Sequence, residues 1–437
     1  MIRRQYDVVI VGARCAGASL ATFLARDGAS VLLLDKDKLP SDQVISTHTI
    51  HPPGVDVLDE LGVGDQVRQV APPMRVVRLG KNGVFVDLPC REGRAEYCPR
   101  RERLDSLLQG AAMEAGAELV DRARVTSVIE QNGRVVGVRA SRDGTEQEYR
   151  ARVVVGADGR RSTVASLVKS EEYLAYDAPR AAYWSYWEAP ELWSADPRYQ
   201  FDMYIANNRG AVRLIFHTDH DQLLIASAPT NEECARWRRD PLSALKADLA
   251  TDPLICPLVE GREPLEKIRG TTRERYFFRR AAGPGWALVG DAGHHKDFLV
   301  GDGITEALLQ ARGLASAMRR GSDESLEWWW RKRDVDALPM FFFGADEGRA
   351  GPPAELQCVA FSHVARDPEL KRRLARVMEH ELSPYEVFPV SSVLRWVFGA
   401  AVKGKLGVIR EFLDMGKRAS AVNRELVERK KLLTNTI

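Results

Sequence analysis

Apolar and polar positions along the chain follow three different rhythms. Val8 to Val11 form an unbroken β-branched run, as expected of a strand covered on both faces. Leu20, Phe23 and Leu24 then fall on one helical face, Gly28 ends that helix, and Val31–Leu34 reads as the next strand. Similar short runs recur at Val153–Val155 and from Trp286 in WALVGDAGHH, each ending in glycine and aspartate. Residues 171–277 differ. YWSYWEAPELW, YQFDMYIANN, GAVRLIFHT and DQLLIASAP read as successive antiparallel strands with turns at Asn207–Gly210 and Asp219–Asp221. The segment 74–90 reads as a hairpin turning at Asn82–Gly83 that joins them. From Asp323 the pattern turns helical. Trp328–Trp330 cannot all face one way on a helix, AGPPAEL breaks the pattern near residue 352, and 354–437 reads as a helical appendage with basic ends.

These rhythms predict an α/β fold with a parallel sheet, interrupted by an antiparallel sheet and followed by helices. The boundaries expected are 1–73, 97–170 and 278–345 for the discontinuous α/β body, 74–96 and 171–277 for the inserted sheet, and 346–437 for the helical region. There is no internal repeat and no low-complexity segment.

Composition changes little. The chain of 437 residues is 45% hydrophobic and 28% charged, with a formal net charge of +2 that does not argue for nucleic acid. No apolar run approaches the ~20 residues of a membrane span. SSVLRWVFGAAV is too short and contains Arg395; its readings are packing on the body, a cap on the substrate entrance, a membrane-surface contact or dimerisation. Asp7 interrupts the apolar N-terminal stretch, which argues against a signal peptide. The six cysteines form no CxxC pair, so reduced thiols and a cytoplasmic location are expected.

The chemistry lies where the strands end. Gly12 and Gly17 follow the first strand and open a helix, and Asp35 stands 18 positions after Gly17 at the end of the second strand. This is a dinucleotide-binding arrangement, with phosphate at a helix N-terminus and a carboxylate for a ribose. Arg14 replaces the middle glycine of the usual pattern and adds a charge near the phosphates. Asp158-Gly159 follows the Val153–Val155 strand, with Ser162 as an N-cap for a short helix. Gly290-Asp291 follows the strand from Trp286, and Gly301-Asp302-Gly303 precedes a further helix. A carboxylate such as Asp291 at the end of a buried strand needs a partner.

The order and spacing of these motifs over residues 5 to 340 resemble the FAD-dependent aromatic hydroxylases, the single-component flavoprotein monooxygenases. The flavin-dependent halogenases and geranylgeranyl reductases share the scaffold. The resemblance implies that Gly12, Arg14, Cys15, Ala16 and Gly17, with Asp35 and Lys36, hold the ADP half of FAD. It places Asp158 and Gly159 near the pyrophosphate and the nicotinamide nucleotide, Asp291 on the ribityl chain, and Arg101 near the FAD. Gly301, Gly303 and Ile304 are placed under the flavin ring, with Asp302 pointing away from it. Thr47 and His48 are candidate flavin neighbours. Phe298 stands where the family has proline and Thr305 where it has asparagine, which leaves the subfamily open.

The resemblance implies NADPH or NADH as reductant, O2 as co-substrate, and transfer of oxygen from a C4a flavin hydroperoxide to a small, aromatic molecule. His48, His295 and Tyr186 are the catalytic candidates, and Tyr183, Trp184, Trp187, Tyr204, Phe216 and His217 are candidate pocket residues. No metal is expected, because adjacent His294 and His295 in a strand point to opposite faces. An ene-reductase of the geranylgeranyl type is the runner-up. A halogenase lacks its W-x-W-x-I-P segment here, and a flavin-free binding protein conflicts with the intact Asp35, Asp158 and Asp291.

Overall fold

The computed structural model describes residues 5–41 and 48–435; Thr47 lies outside them. Five strands run parallel in the order Trp286–Leu288, Thr145–Gly156, Gln5–Val11, Val31–Leu34 and Glu118–Val120. The hairpin Arg124–Gln131/Arg134–Arg142 extends the outer half of Thr145–Gly156, and Ala282–Gly283 flanks Trp286–Leu288. Val9 and Ile10 are fully buried in this sheet, as their unbroken apolar run requires. The helix Cys15–Arg26 packs on the helices Arg101–Glu114 and Gly303–Met318.

Two glycines of the first loop are fixed by packing. A Cβ on Gly17 would lie 1.8 Å from the carbonyl oxygen of Gly12. Gly12 has φ +104°, and a Cβ there would lie 2.4 Å from the carbonyl of Ala157. Arg14 is extended (φ −103°, ψ −165°), a conformation open to any residue, so this position tolerates a side chain.

The second sheet has seven strands, in the order Arg269–Thr271, Ala182–Glu188, Gln222–Ser227, Ala211–Thr218, Met203–Asn208, Val76–Lys81 and Val84–Pro89. The hairpin at Asn82–Gly83 joins it as the spacing predicts, through a parallel pairing of Val76–Lys81 with Met203–Asn208. The inserted segment is not all strand. Helices Cys234–Arg239, Pro241–Leu249 and Cys256–Val259 bury Trp237, Leu245 and Leu258 in one core with Tyr183, Trp187 and Tyr204. The opposite face, carrying Trp184, Tyr186 and Phe216, shares a core with Leu356, Val364, Val393 and Trp396 of the C-terminal helices. A small third sheet has the order His294–His295, Arg275–Arg279 and Glu172–Asp177.

The helix Asp323–Glu347 buries Trp329 and Trp330 but leaves Trp328 half-buried, which resolves the tryptophan triplet. Arg180, almost wholly buried, donates to the carbonyls of Gly210, Ala228 and Arg349, tying the break after this helix to the seven-stranded sheet. Among the described residues no helix is long and apolar enough to cross a membrane.

Candidate functional site

A cleft of about 600 Å³ opens where the parallel strands end, walled by the seven-stranded sheet on the side of Ala182 and Trp184. Gly12, Arg14, Cys15, Ala16, Asp35 and Lys36 line it. Asp158, Gly159, Arg101, Asp291 and His295 line it too. His48 and Gly301, Gly303 and Ile304 line it as well. Gly17 does not; it acts by letting the helix start close against Gly12. Tyr186 is also absent from the wall but hydrogen-bonds His48, which is on it.

The three strand-end carboxylates do different things. Asp35 accepts from the N–H of Ala13 at 2.8 Å and of Asp37 at 2.9 Å, shaping the first glycine loop. Arg14 pairs with Asp37 at 3.1 Å, so its charge stays at the rim of that loop. Asp158 is spent locally: it accepts from the Ser162 hydroxyl and from the N–H groups of Thr163 (2.6 Å) and Val164 (3.2 Å). Ser162 caps the same helix by accepting from Ala165 N–H at 2.9 Å. These bonds shape the Gly159 turn while Asp158 stays on the cleft wall. Asp291 lies in a 3₁₀ turn, not in a strand, and meets His295 Nδ1 at 3.3 Å. Burial opposes charge on His295, but Asp291 and Glu274 outweigh it and raise its pKa to about 9. The partner that the sequence demanded for Asp291 is thus in part an imidazolium.

Beneath the Gly301–Gly303 loop lies a buried charge network. Lys296 Nζ donates to Asp302 Oδ2 at 2.5 Å and to Glu306 Oε1 at 2.8 Å, and its side chain is 4% exposed. His380, from the C-terminal region, meets Asp302 Oδ1 at 2.8 Å. Burial would raise the Asp302 pKa, yet His380 and Lys296 hold it well below the carboxylate range. Asp302, Glu306 and His380 form the one metal-like group among the described residues, but the Lys296 ammonium already bridges both carboxylates. Glu306 and Gln310 follow Asp302 at intervals of four on one helix, a spacing readable in sequence; nothing local points to His380.

The segment after the second strand is tied to this loop. His51 N–H donates to Thr305 Oγ1 at 2.9 Å, the position where the aromatic hydroxylases carry asparagine. His51 Nδ1 lies 3.1 Å from Glu96 and its Nε2 lies 3.1 Å from the Val300 carbonyl. Burial opposes its charge, but Glu96 outweighs this and raises its pKa to about 9. His48 is the reverse case: burial, then Arg101 and Arg100, push its pKa down to about 3. The Arg100 guanidinium lies 3.9 Å from the Tyr186 ring centroid.

Of the candidate pocket aromatics, Trp184 lines the cleft. Tyr183, Trp187 and Tyr204 face the other way, because strand neighbours alternate, and pack under the short helices. Phe216 is core on the cleft side. His217 pairs with Asp221 at 3.0 Å beside Trp193.

The cleft fits FAD on its own observations. No side chain caps the helix starts at Cys15 or Gly303, leaving amide N–H groups to face an anion or an electron-rich ring. A Cβ on Gly303 would meet nothing within 4 Å. Arg101 Nε, Thr49 Oγ1 and His294 Nε2, all on cleft-lining residues, are buried without a hydrogen-bond partner among the described residues. Buried polar atoms of this kind call for a polar ligand. Thr49 was not singled out by sequence.

Comparison with known proteins agrees. The family model for the FAD binding domain matches residues 5–327. YgcN, a probable electron transfer flavoprotein-quinone oxidoreductase of Escherichia coli (strain K12), is 27% identical over 306 residues, 65% of this chain and 69% of its own. The 12-dehydrotetracycline 5-monooxygenase/anhydrotetracycline 6-monooxygenase of Streptomyces rimosus subsp. rimosus is 34% identical over 168 residues, 38% of this chain and 33% of its own. The structure of the flavin-dependent brominase Bmp2 superimposes with a TM-score of 0.74 at 17% identity, covering 92% of this chain and 100% of that one, a likeness of fold. With glycine loops, uncapped helix starts and strand-end carboxylates meeting in one cleft, this chain belongs to the FAD binding domain family and is an FAD-dependent oxidoreductase.

Proposed function

We propose that the protein is a monooxygenase that uses NADPH or NADH and O2 to oxygenate a small, aromatic organic molecule. Residues 1–73, 97–170 and 278–345 form the FAD-binding body in this reading, 74–96 and 171–277 the substrate wall, and 346–437 a helical cover. The observation that carries it is that Trp184 and His48, which hydrogen-bonds Tyr186 behind the wall, line the same cleft as Gly301 and Gly303. Trp184, Tyr276 and Phe298 give the cleft aromatic surface that suits a flat organic substrate. The Streptomyces relative, a monooxygenase by name, points the same way.

Bound FAD would supply the redox chemistry, taking a hydride from the nicotinamide and activating O2. The chain's own residues supply position and charge. The amides at Cys15–Gly17, with Asp35, would hold the ADP half, and Asp291 with protonated His295 would hydrogen-bond the hydroxylated chain. The amides at Gly303 and Ile304 place positive potential where the ring gains charge, while Lys296 and His380 neutralise Asp302. His48, with its pKa near 3, stays neutral at physiological pH; it positions Tyr186 and does not store a proton. His295, with its pKa near 9, holds a proton at the cleft wall.

The test uses the FAD-loaded chain with NADPH or NADH, ¹⁸O2 and a panel of phenols and fused-ring aromatics. The expected result is substrate-stimulated nicotinamide oxidation and a product carrying ¹⁸O. Saturation of a C=C bond without O2 consumption, or a halide-dependent product, would overturn the reading.

A further inference from the structure

Eight of the twelve large apolar side chains exposed among the described residues lie between Val390 and Met415. The helix Val390–Val402 buries Val393, Trp396, Val397 and Ala400 against the body. Its other face shows Val390, Leu394, Phe398 and Val402, at intervals of four, 49–72% exposed. Leu406 and Ile409, at the start of the helix Gly407–Thr434 and just before it, prolong the stripe. Isolated exposed apolar residues are ordinary, but a contiguous row marks a contact surface.

The charges around the row select the partner. Residues 390–417 carry Arg395, Lys403, Lys405, Arg410 and Lys417 against two acids. Glu411 is turned inward, accepting from the N–H groups of Glu355 and Leu356 at 3.1 and 2.7 Å. Asp414 lies between Arg410 and Lys417, and Lys405 pairs with Glu355 at 3.0 Å. Arg410 and Lys417 remain 90% and 79% exposed. A two-fold interface between copies must be complementary to itself, and this surface would bring cations against cations. A bilayer surface rich in anionic lipid complements it throughout, with the apolar row in the acyl boundary and the cations among the headgroups.

We propose that the face formed by Val390–Val402 and the start of Gly407–Thr434 is a membrane-surface docking site for anionic lipid. The helix lies in the interface and does not span the bilayer. This assignment is independent of the reaction in the cleft.

The test is co-sedimentation of the FAD-loaded full chain with vesicles of phosphatidylglycerol and phosphatidylcholine in equal parts, against phosphatidylcholine alone. Binding to the anionic vesicles is expected, weaker by at least ~10-fold on phosphatidylcholine alone or in ~0.5 M salt. Phe398→Glu/Val402→Glu should abolish it, and Lys403→Glu/Arg410→Glu should weaken it by at least ~10-fold. FAD content and basal nicotinamide oxidation should not change, since none of these side chains lies on the cleft. Failure of the wild-type chain to bind would overturn the assignment, as would undiminished binding of the Phe398→Glu/Val402→Glu variant. A stable dimer in sedimentation velocity that this variant splits would also overturn it, assigning the face to a second copy.

Discussion

Removing Lys296 tests the charge network under the Gly301–Gly303 loop. Lys296→Met keeps most of the side-chain volume and deletes the ammonium that bridges Asp302 and Glu306. The Asp302 side chain has no solvent exposure, and the variant leaves it the direct partner His380 and the more distant charge of His51. Breaking a buried pair by removing one member costs about 3–5 kcal/mol. At about 2.1 cal/mol/K of unfolding entropy per residue, a chain of this size should lose roughly 3–6 °C in Tm. The sign of the pH dependence follows from Asp302. Its folded pKa is depressed, so its contribution is present above the unfolded value near 4 and is lost as pH falls. The variant lacks much of that contribution, so the gap to wild type should hold from neutral pH down to about 4 and should close only as pH falls below ~4. Scanning calorimetry of both apoproteins from pH ~2.5 to ~7.5 measures it. Equal Tm values at neutral pH, or a gap undiminished at pH ~2.5, would refute the reasoning.

Other outcomes follow from the same geometry. Asp35→Ala should weaken FAD binding more than Asp37→Ala in flavin titrations, because Asp35 holds the Ala13 amide of the first glycine loop, while Asp37 holds Arg14; equal affinities would misplace the ribose. Trp187→Ala should destabilise the fold by ~3–5 kcal/mol, since Trp187 is fully buried under the short helices. Tyr186→Phe should keep fold and FAD, and lower product formation relative to nicotinamide oxidation. His295 has a raised folded pKa near 9. Its pairing with Asp291 is therefore worth most below pH ~6.5 and is lost as pH rises through 9. The destabilisation caused by Asp291→Asn in the apoprotein should fade over that window in denaturant melts.

The parallel sheet and its ligand-facing loops were legible because each signal is local. A β-branched run fixes the strand, and the close approach of Gly17 to Gly12 fixes the glycines. The hairpin at Asn82–Gly83 was legible for the same reason, as positive φ at both turn residues favours that pair. What failed to show involved distance in the chain. Residues 234–259 fold as helices because their apolar positions meet the far face of the inserted sheet, which no local rhythm reveals. Alternation showed that Tyr186 and Trp187 face opposite ways but not which face meets the cleft; that is set by which helices cover the other side. One hidden contact is local: His295 stands four residues after Asp291, and the intervening 3₁₀ turn, not an extended strand, brings the two together. His380 reaches Asp302 from 78 residues downstream, beyond any motif.

Gly303 offers the most direct test of the site. It opens the helix Gly303–Met318 on the cleft wall, and a Cβ there would meet nothing within 4 Å. Gly303→Leu should therefore fold with stability within ~1 kcal/mol of wild type, while its side chain occupies the space assigned to the flavin. Titration of the apoprotein with FAD should show affinity reduced by at least ~100-fold, about 2.7 kcal/mol, alongside an unchanged circular dichroism spectrum and Tm. A folded Gly303→Leu protein that binds FAD as tightly as wild type would contradict the placement of the cofactor in this cleft.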